Sequence, residues 1–209
     1  MITNKDITRY TNLTTNDSLS GFRNHVAQQS HYVYEIFYNF LSDIKPKRIL
    51  EIGTALGGFT SFLKIVVDEL KIDTKIMTLD IHTKDWYPEM IQNGIDVRVE
   101  NVFNEDYSQV KQYIIDFIQE DGQVVVLCDG GNKKLEFNLL SKYLKINDFI
   151  MAHDYCESEE IFENEIKDKI WNWCELTEKD IQECSFEHNL KPFNQENFSN
   201  CVWVCKIKK

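Results

Sequence analysis

Positive charge is what this chain has least of. Its 209 residues carry 23 Lys and Arg against 34 Asp and Glu, a formal net charge of −11. Binding a polyanion needs a basic face, so nucleic acid is excluded as a partner. The Asn/Asp-Pro-Pro-aromatic motif that would hold a flipped base is missing too. Met1 to Asp6 is polar, no apolar run follows as in a leader peptide, and none approaches a membrane span. The expectation is a cytosolic protein with no membrane contact. Its 6 cysteines have no zinc-site spacing and, with no secretory signal, are read as free thiols. The sequons at Asn12, Asn16 and Asn197 carry no meaning without secretion. There is no repeat, low-complexity run or interdomain linker. A hydrophobic content of 43% can bury one substantial core. The organisation expected is a polar arm or lid over residues 1–21 and one domain over 22–209.

What is present is organised around Lys47 to Gly58. Ile49 to Ile52 reads as a buried strand, and three glycines, Gly53, Gly57 and Gly58, mark a turn. Phe59 to Val67 then resumes with apolar residues at helical spacing. Strand, glycine turn and helix make the first half of a nucleotide-binding βαβ unit. A dinucleotide site wants G-x-G-x-x-G; here the pattern is Glu51-x-Gly53-x-x-x-Gly57. An acid facing the loop repels a pyrophosphate and suits a cationic ligand.

The rest of the chain repeats the alternation. Phe22 to Ser42 is read as one or two helices, stopped before Pro46. Lys75 to His82 is a second strand, with Asp80 placed to accept ribose hydroxyls or to cap a helix. Asp96 to Val102 is a third strand, followed by a helix from Ser108 to Gln119. Gln123 to Asp129 is a strand of the kind buried on both faces of a parallel sheet. Lys133 to Tyr143 follows as a helix, and Asp148 to Tyr155 as a fifth strand ending in His153-Asp154. Glu159 to Trp173 is read as one charged helix with Phe162, Ile166 and Trp171 on its buried face. Asp180 to Phe186 and Ser199 to Ile207 are read as a closing antiparallel pair. The fold class is α/β: a Rossmann-like doubly wound sheet of about seven strands, mostly parallel, with an antiparallel C-terminal strand.

In such sheets ligands lie at the carboxyl ends of the strands, near the point where strand order reverses. Neighbouring strands are about 4.8 Å apart, so Asp129 and the His153-Asp154 pair can converge. Two carboxylates and an imidazole together call for a positive charge between them. A divalent cation meets that need, Mg²⁺ or Mn²⁺ by its oxygen ligands, with the imidazole favouring Mn²⁺ or Fe²⁺. Helix capping by either Asp, and a hydrogen-bonded histidine without a ligand, are the alternatives.

The glycine turn resembles the first motif of class I S-adenosylmethionine (SAM) methyltransferases. Phe22 to Lys209 as a whole is similar to the metal-dependent O-methyltransferases of the cephalosporin hydroxylase-like and rhamnosyl O-methyltransferase group. The resemblance rests on the acidic turn ending in Gly57-Gly58, on Asp129-Gly130 after strand four, and on the acidic pair after strand five. It implies that Glu51, Gly53, Thr54, Gly57, Asp80, Ile81, Val102, Phe103 and Asp129 bind SAM. It also implies a metal on Asp129, His153 and Asp154, with His153 where the family usually has Glu. Sugar-modifying relatives often have a histidine three residues after the strand-four Asp; here that position is Asn132. Lys133 and His153 stand as the candidate bases, Lys133 only if a neighbouring metal charge brings its pKa well below the usual ~10.4, and His153 only if it does not bind the metal. The acceptor implied is a small molecule or saccharide, its pocket built from the arm, the Ile81 to Met90 loop with Trp86 and Tyr87, and the Cys156 to Ile161 loop. A homo-oligomer is allowed. The competing readings are a metal-free SAM methyltransferase, a non-catalytic SAM-binding or assembly protein, and a nicotinamide oxidoreductase, the last disfavoured by the glycine spacing.

Overall fold

The structure is a computed structural model that describes residues 21, 22 and 25–209. All but the last residue of the expected arm therefore lies outside the described residues. In chain order, β1 (Gly21–Phe22) and β2 (His25–Val26) form a short hairpin, followed by α1 (Val33–Ile44), β3 (Arg48–Ile52), α2 (Gly58–Glu69) and β4 (Lys75–Asp80). Then come α3 (Tyr87–Gln92), β5 (Asp96–Val99), α4 (Gln112–Gln119), β6 (Val124–Cys128), α5 (Lys133–Leu140) and β7 (Phe149–Ala152). The C-terminal part adds β8 (Tyr155–Cys156), the short α6 (Glu159–Ile161), β9 (Leu176–Thr177), α7 (Glu178–Glu187), β10 (Leu190–Pro192), α8 (Gln195–Ser199) and β11 (Val204–Lys208).

The main sheet has seven strands in the order β10-β11-β7-β6-β3-β4-β5. Strands β3 to β7 pair in parallel, and β11 runs antiparallel to β7, as the sequence predicts. Both faces of the sheet are covered at its centre, which is why β6 and β7 read as continuous apolar runs. Along β6, Val125 and Leu127 enter one core with Phe37, Phe59 and Trp203, while Val124, Val126 and Cys128 enter the other with Ile114 and Phe137. Each such side chain contributes about 1.5–3 kcal/mol by leaving water, so the strand ends that carry the polar residues are firmly placed. Order reverses at β3, which pairs with β4 on one side and β6 on the other.

Several expected elements differ. The helix expected from residue 22 begins at Val33, and ahead of it Gly21–Phe22 and His25–Val26 pair as antiparallel strands. The third strand stops at Val99, and α4 starts at Gln112 because Phe103 and Val110 pair as an antiparallel bridge. The long helix expected over 159–173 is a single turn running into a π-helical turn (Phe162–Ile166), after which Asp168 turns left-handed at φ +59°. A straight helix would carry Trp171 roughly 18 Å from its start. Instead the chain doubles back, and the Trp171 indole donates to Asp154 Oδ1 at 2.5 Å. Residues 180–186 are helix α7 rather than strand. A capping box between Thr177 and Asp180 starts it, and Ile181, Cys184 and Ser185 are its buried face. The closing antiparallel pair exists, but its partners are β10 and β11; Ser199 ends α8, and Val202 at φ +57° precedes the strand.

Candidate active site

The turn after β3 is built against the end of β6. Gly53 has φ +96°, and a Cβ there would lie 2.1 Å from the Asp129 carbonyl oxygen. The glycine is required by this backbone approach, so its role is first to let the two strand ends meet. Gly57 begins α2 at φ +75°, and a Cβ there would press on Met90 and Trp86 at 3.1 and 3.2 Å. Trp86 and Tyr87 thus pack beneath the turn, and Tyr87 is buried. Neither lines the two cavities described next. Glu51 does not line them either: its side chain is buried, and the hydroxyls of Thr60 and Thr78 each donate to Oε2 at 2.5 Å. Thr54 Oγ1 continues this chain 2.6 Å from Thr78 Oγ1. Burial pushes the Glu51 carboxyl up to about 7 despite those hydroxyls.

Two cavities flank Gly53. The first, about 550 Å³, has apolar walls from Ile52, Leu79, Ile81, Val102 and Phe103, with Asp80, Glu100, Asn101, Asp129, Asn132 and Glu136 as polar contributions. Asp80 accepts from the Ala55 N–H at 2.7 Å and the His82 N–H at 2.9 Å, which pins the loop on either side. The second, about 230 Å³, is lined by Phe59, Lys133, His153, Asp154, Trp171, Trp173 and Glu175. Gly53, Ala55 and Asp129 belong to both.

The ends of β6 and β7 bring the expected acids together. One ligand atom each from Asp129, His153 and Asp154 lies within 4.8 Å of the other two. His153 Nδ1 is 3.1 Å from Asp129 Oδ1 and 3.4 Å from Asp154 Oδ1. His153 Nε2 is buried with no hydrogen-bond partner among the described residues. Asp154 holds a left-handed φ of +56°, backbone strain of the kind found at functional sites. Each carboxylate also has an outside anchor: Gln29 donates to Asp129 Oδ2 at 2.7 Å, and Trp171 holds Asp154. The Lys133 ammonium enters the same cluster, 2.9 Å from Asp154 Oδ2, 3.0 Å from Glu175 Oε2 and 3.7 Å from Asp129 Oδ1. Burial alone would lower its pKa, but the surrounding carboxylates outweigh that and hold it well above the ordinary lysine value. Lys133 is thus the cation of this cluster, its charge held by Asp129, Asp154 and Glu175. Neither Asp caps a helix here; Asn132 caps α5 by accepting from the Leu135 N–H.

Of the residues expected at the cofactor, Gly53, Asp80, Ile81, Val102, Phe103 and Asp129 line the larger cavity and Thr54 the smaller, while Glu51 and Gly57 support the turn from below. Gln29, Trp173 and Glu175 were not expected. Gln29 carries no sequence signal, since it is placed by tertiary contact 100 residues from its partner. Trp173 was hidden by reading 159–173 as helix, and Glu175 lies just beyond that segment with no signal of its own.

The family described as Rhamnosyl O-methyltransferase/CmcI matches residues 25–202. Among solved structures, CmcI in its apo form aligns with TM-score 0.65 and 11% identity, covering 93% of this chain and 78% of that one. CmcI with Mg and SAM aligns with TM-score 0.61 and 13% identity, covering 93% and 79%. An O-methyltransferase family protein from Burkholderia thailandensis aligns with TM-score 0.53 and 7% identity over 85% and 56%. No curated protein matches significantly. At these identities the structural likeness is one of fold, whereas the family match spans most of the chain. The chain therefore belongs to the rhamnosyl O-methyltransferase/CmcI family and is a SAM-dependent methyltransferase of class I fold.

Proposed function

We propose that this protein transfers the methyl group of SAM to a hydroxyl of a small-molecule or saccharide acceptor, assisted by a divalent cation on Asp129, His153 and Asp154. One observation carries the reading: the larger cavity, at the ends of β3 and β4, and the smaller one, which holds Asp129, His153 and Asp154, meet at Gly53, Ala55 and Asp129. A donor in the first would present its methyl to an acceptor in the second. The larger cavity, about 550 Å³, has a size usual for such ligands. Asp80 is placed to accept the ribose hydroxyls, Val102 and Phe103 to flank the adenine, and the buried Glu51 to favour a cationic ligand above it.

The donor set also fits a metal. Perpendicular ligands at ~2.1 Å from an ion stand about 3.0 Å apart, and His153 Nδ1 stands 3.1 and 3.4 Å from the two Asp oxygens. The Lys133 ammonium, packed against the same carboxylates, shows that the cluster accommodates a cation. When bound, SAM supplies an electrophilic methyl group and the metal lowers the pKa of a hydroxyl. The protein's own part is orientation, which accounts for much of the rate in such transfers. Trp173, 51% exposed beside Trp171, offers a ring face to the acceptor.

A second reading is a metal-free methyltransferase, favoured by the Lys133 ammonium already seated on the acids. His153, held by Asp129, would then take the hydroxyl proton. Calorimetry with SAM, with and without Mn²⁺, on wild type and Asp129→Ala separates the two. We expect SAM binding by the wild type, and a Mn²⁺ signal that disappears in Asp129→Ala. A Mn²⁺ signal unchanged by the substitution refutes the metal assignment, and no SAM binding refutes the whole reading.

A further inference from the structure

The geometry points to Lys133 as a tethered competitor of the divalent cation: its ammonium occupies the acid pair, yields it when a metal binds, and retreats to Glu175. This rests on the metal reading proposed above and adds a residue that sets the affinity of that site.

The lysine is built into position. It follows Asn132, whose side chain caps α5, so its backbone is fixed beside the Asp129–Gly130 turn. Its side chain is 7% exposed, and Nζ contacts the Gly130 carbonyl at 3.2 Å as well as Asp154 and Glu175. A lysine so enclosed does not sample solvent freely, and its charge is part of the site. The carboxylate oxygens are all engaged: Asp129 by Gln29 and His153, Asp154 by Trp171 and Lys133. Each oxygen keeps a second lone pair, so an incoming divalent ion can share it with a neutral donor but not with a second cation. Gln29 and Trp171 are neutral donors that hold the carboxylates in place. Lys133 is the partner that an ion repels.

Glu175 supplies the exit. Its side chain is 48% exposed, while its backbone N–H is hydrogen-bonded to the Asp154 carbonyl at 2.9 Å, which keeps it beside the cluster. The ammonium can rotate toward it without leaving the protein. The exchange is a competition between two cations for one acid pair. No bond is made or broken, and the lysine keeps its proton throughout.

The test is Mn²⁺ affinity, read by calorimetry and by the electron paramagnetic resonance of free Mn²⁺, with SAM binding as the check that each variant is folded. Lys133→Met should bind Mn²⁺ tighter by about tenfold or more, since even a retreated ammonium leaves a positive charge close to the ion. Lys133→Arg keeps the charge and should bind no tighter than wild type. Glu175→Gln removes the retreat and should bind Mn²⁺ more weakly. It carries the test alone if Lys133→Met does not fold. Equal affinity of wild type and Lys133→Met, with Mn²⁺ bound by both, overturns the competition and leaves the metal site standing. If neither binds Mn²⁺, the metal site and the competition fall together. An unchanged affinity in Glu175→Gln overturns the retreat.

Discussion

Glu51 gives the sharpest test of how the turn is built. Its carboxyl, 2% exposed, is pushed from 4.5 to about 7, chiefly by burial; the Thr60 and Thr78 hydroxyls oppose the rise, and the charges of Asp129 and Asp80 add to it. In the unfolded chain the acid titrates near its ordinary value. Between the two, the folded protein holds a proton that the unfolded chain has released, so stability falls as pH rises from about 4.5 to about 7 and then levels. At about 1.4 kcal/mol per pKa unit, the rise from 4.5 to about 7 amounts to about 3 kcal/mol. Glu51→Gln places an amide where the protonated acid sits, and its oxygen can still accept from both threonines. The variant should match the wild type in urea unfolding at pH 5 and exceed it by up to about 3 kcal/mol at pH 8. Glu136, also pushed to about 7 by burial, adds the same slope to both proteins and cancels in the difference. A gap independent of pH between 5 and 8 refutes the assignment. A cationic ligand favours the ionised acid, so SAM affinity of the wild type should rise over the same range and that of Glu51→Gln should not.

Three further outcomes are expected. Gly53→Ala puts a Cβ 2.1 Å from the Asp129 carbonyl oxygen at φ +96° and should cost roughly 3 kcal/mol or more in thermal unfolding; an unchanged Tm refutes the close approach. Asp80→Ala should weaken SAM binding about tenfold or more in calorimetry, as the loss of charged hydrogen bonds implies; full affinity would remove Asp80 from the cofactor. Trp173→Ala should raise KM for the acceptor while Tm and SAM affinity stay unchanged, because the ring is half exposed and packs on Trp171 alone among the described aromatics. A fall in kcat with constant KM would place its role elsewhere.

The sheet was legible because its strands announce themselves. Val124 to Cys128 is apolar throughout and Ile49 to Ile52 is interrupted only by Glu51, each ends at a glycine turn, and pairing in parallel put Gly53, Asp80, Asp129 and His153 at one rim. The helix α7 was misread although its capping box, Thr177 with Asp180, is visible in the sequence; Ile181 and Cys184 three apart fit a helix better than the alternation of a strand. The segment before it could not be read. Glu159 to Trp173 has helical spacing, yet the chain leaves the helix through the π turn and the left-handed Asp168, and Trp171 meets Asp154, a tertiary contact the spacing does not encode. Glu51 was legible as an acid at the turn but not in its depth, since Thr60 and Thr78, which cover it, come from two other elements. The same holds for Lys133: four-residue spacing from Asp129 permitted the contact, but Asp154 and Glu175 decide its charge.

These contacts also explain how a site of strand-end residues keeps a fixed shape. Asp129 is aimed by Gln29, and Gln29 in turn accepts from the Trp203 indole at 2.9 Å. Trp203 is fully buried and packs edge-on against Phe37, so the carboxylate is referenced to the hydrophobic core through one amide. Asp154 is aimed by a second tryptophan, Trp171, from the opposite side. His153 lies between the two indoles, its ring centroid 5.1 Å from Trp171 and 5.0 Å from Trp203. The imidazole is therefore confined by two aromatic faces while its Nδ1 meets both acids. An arrangement in which neutral donors aim the carboxylates keeps their oxygens oriented whichever cation lies against them, the Lys133 ammonium or an incoming ion. Orientation of this kind is what a methyl transfer between two bound reactants requires of its protein.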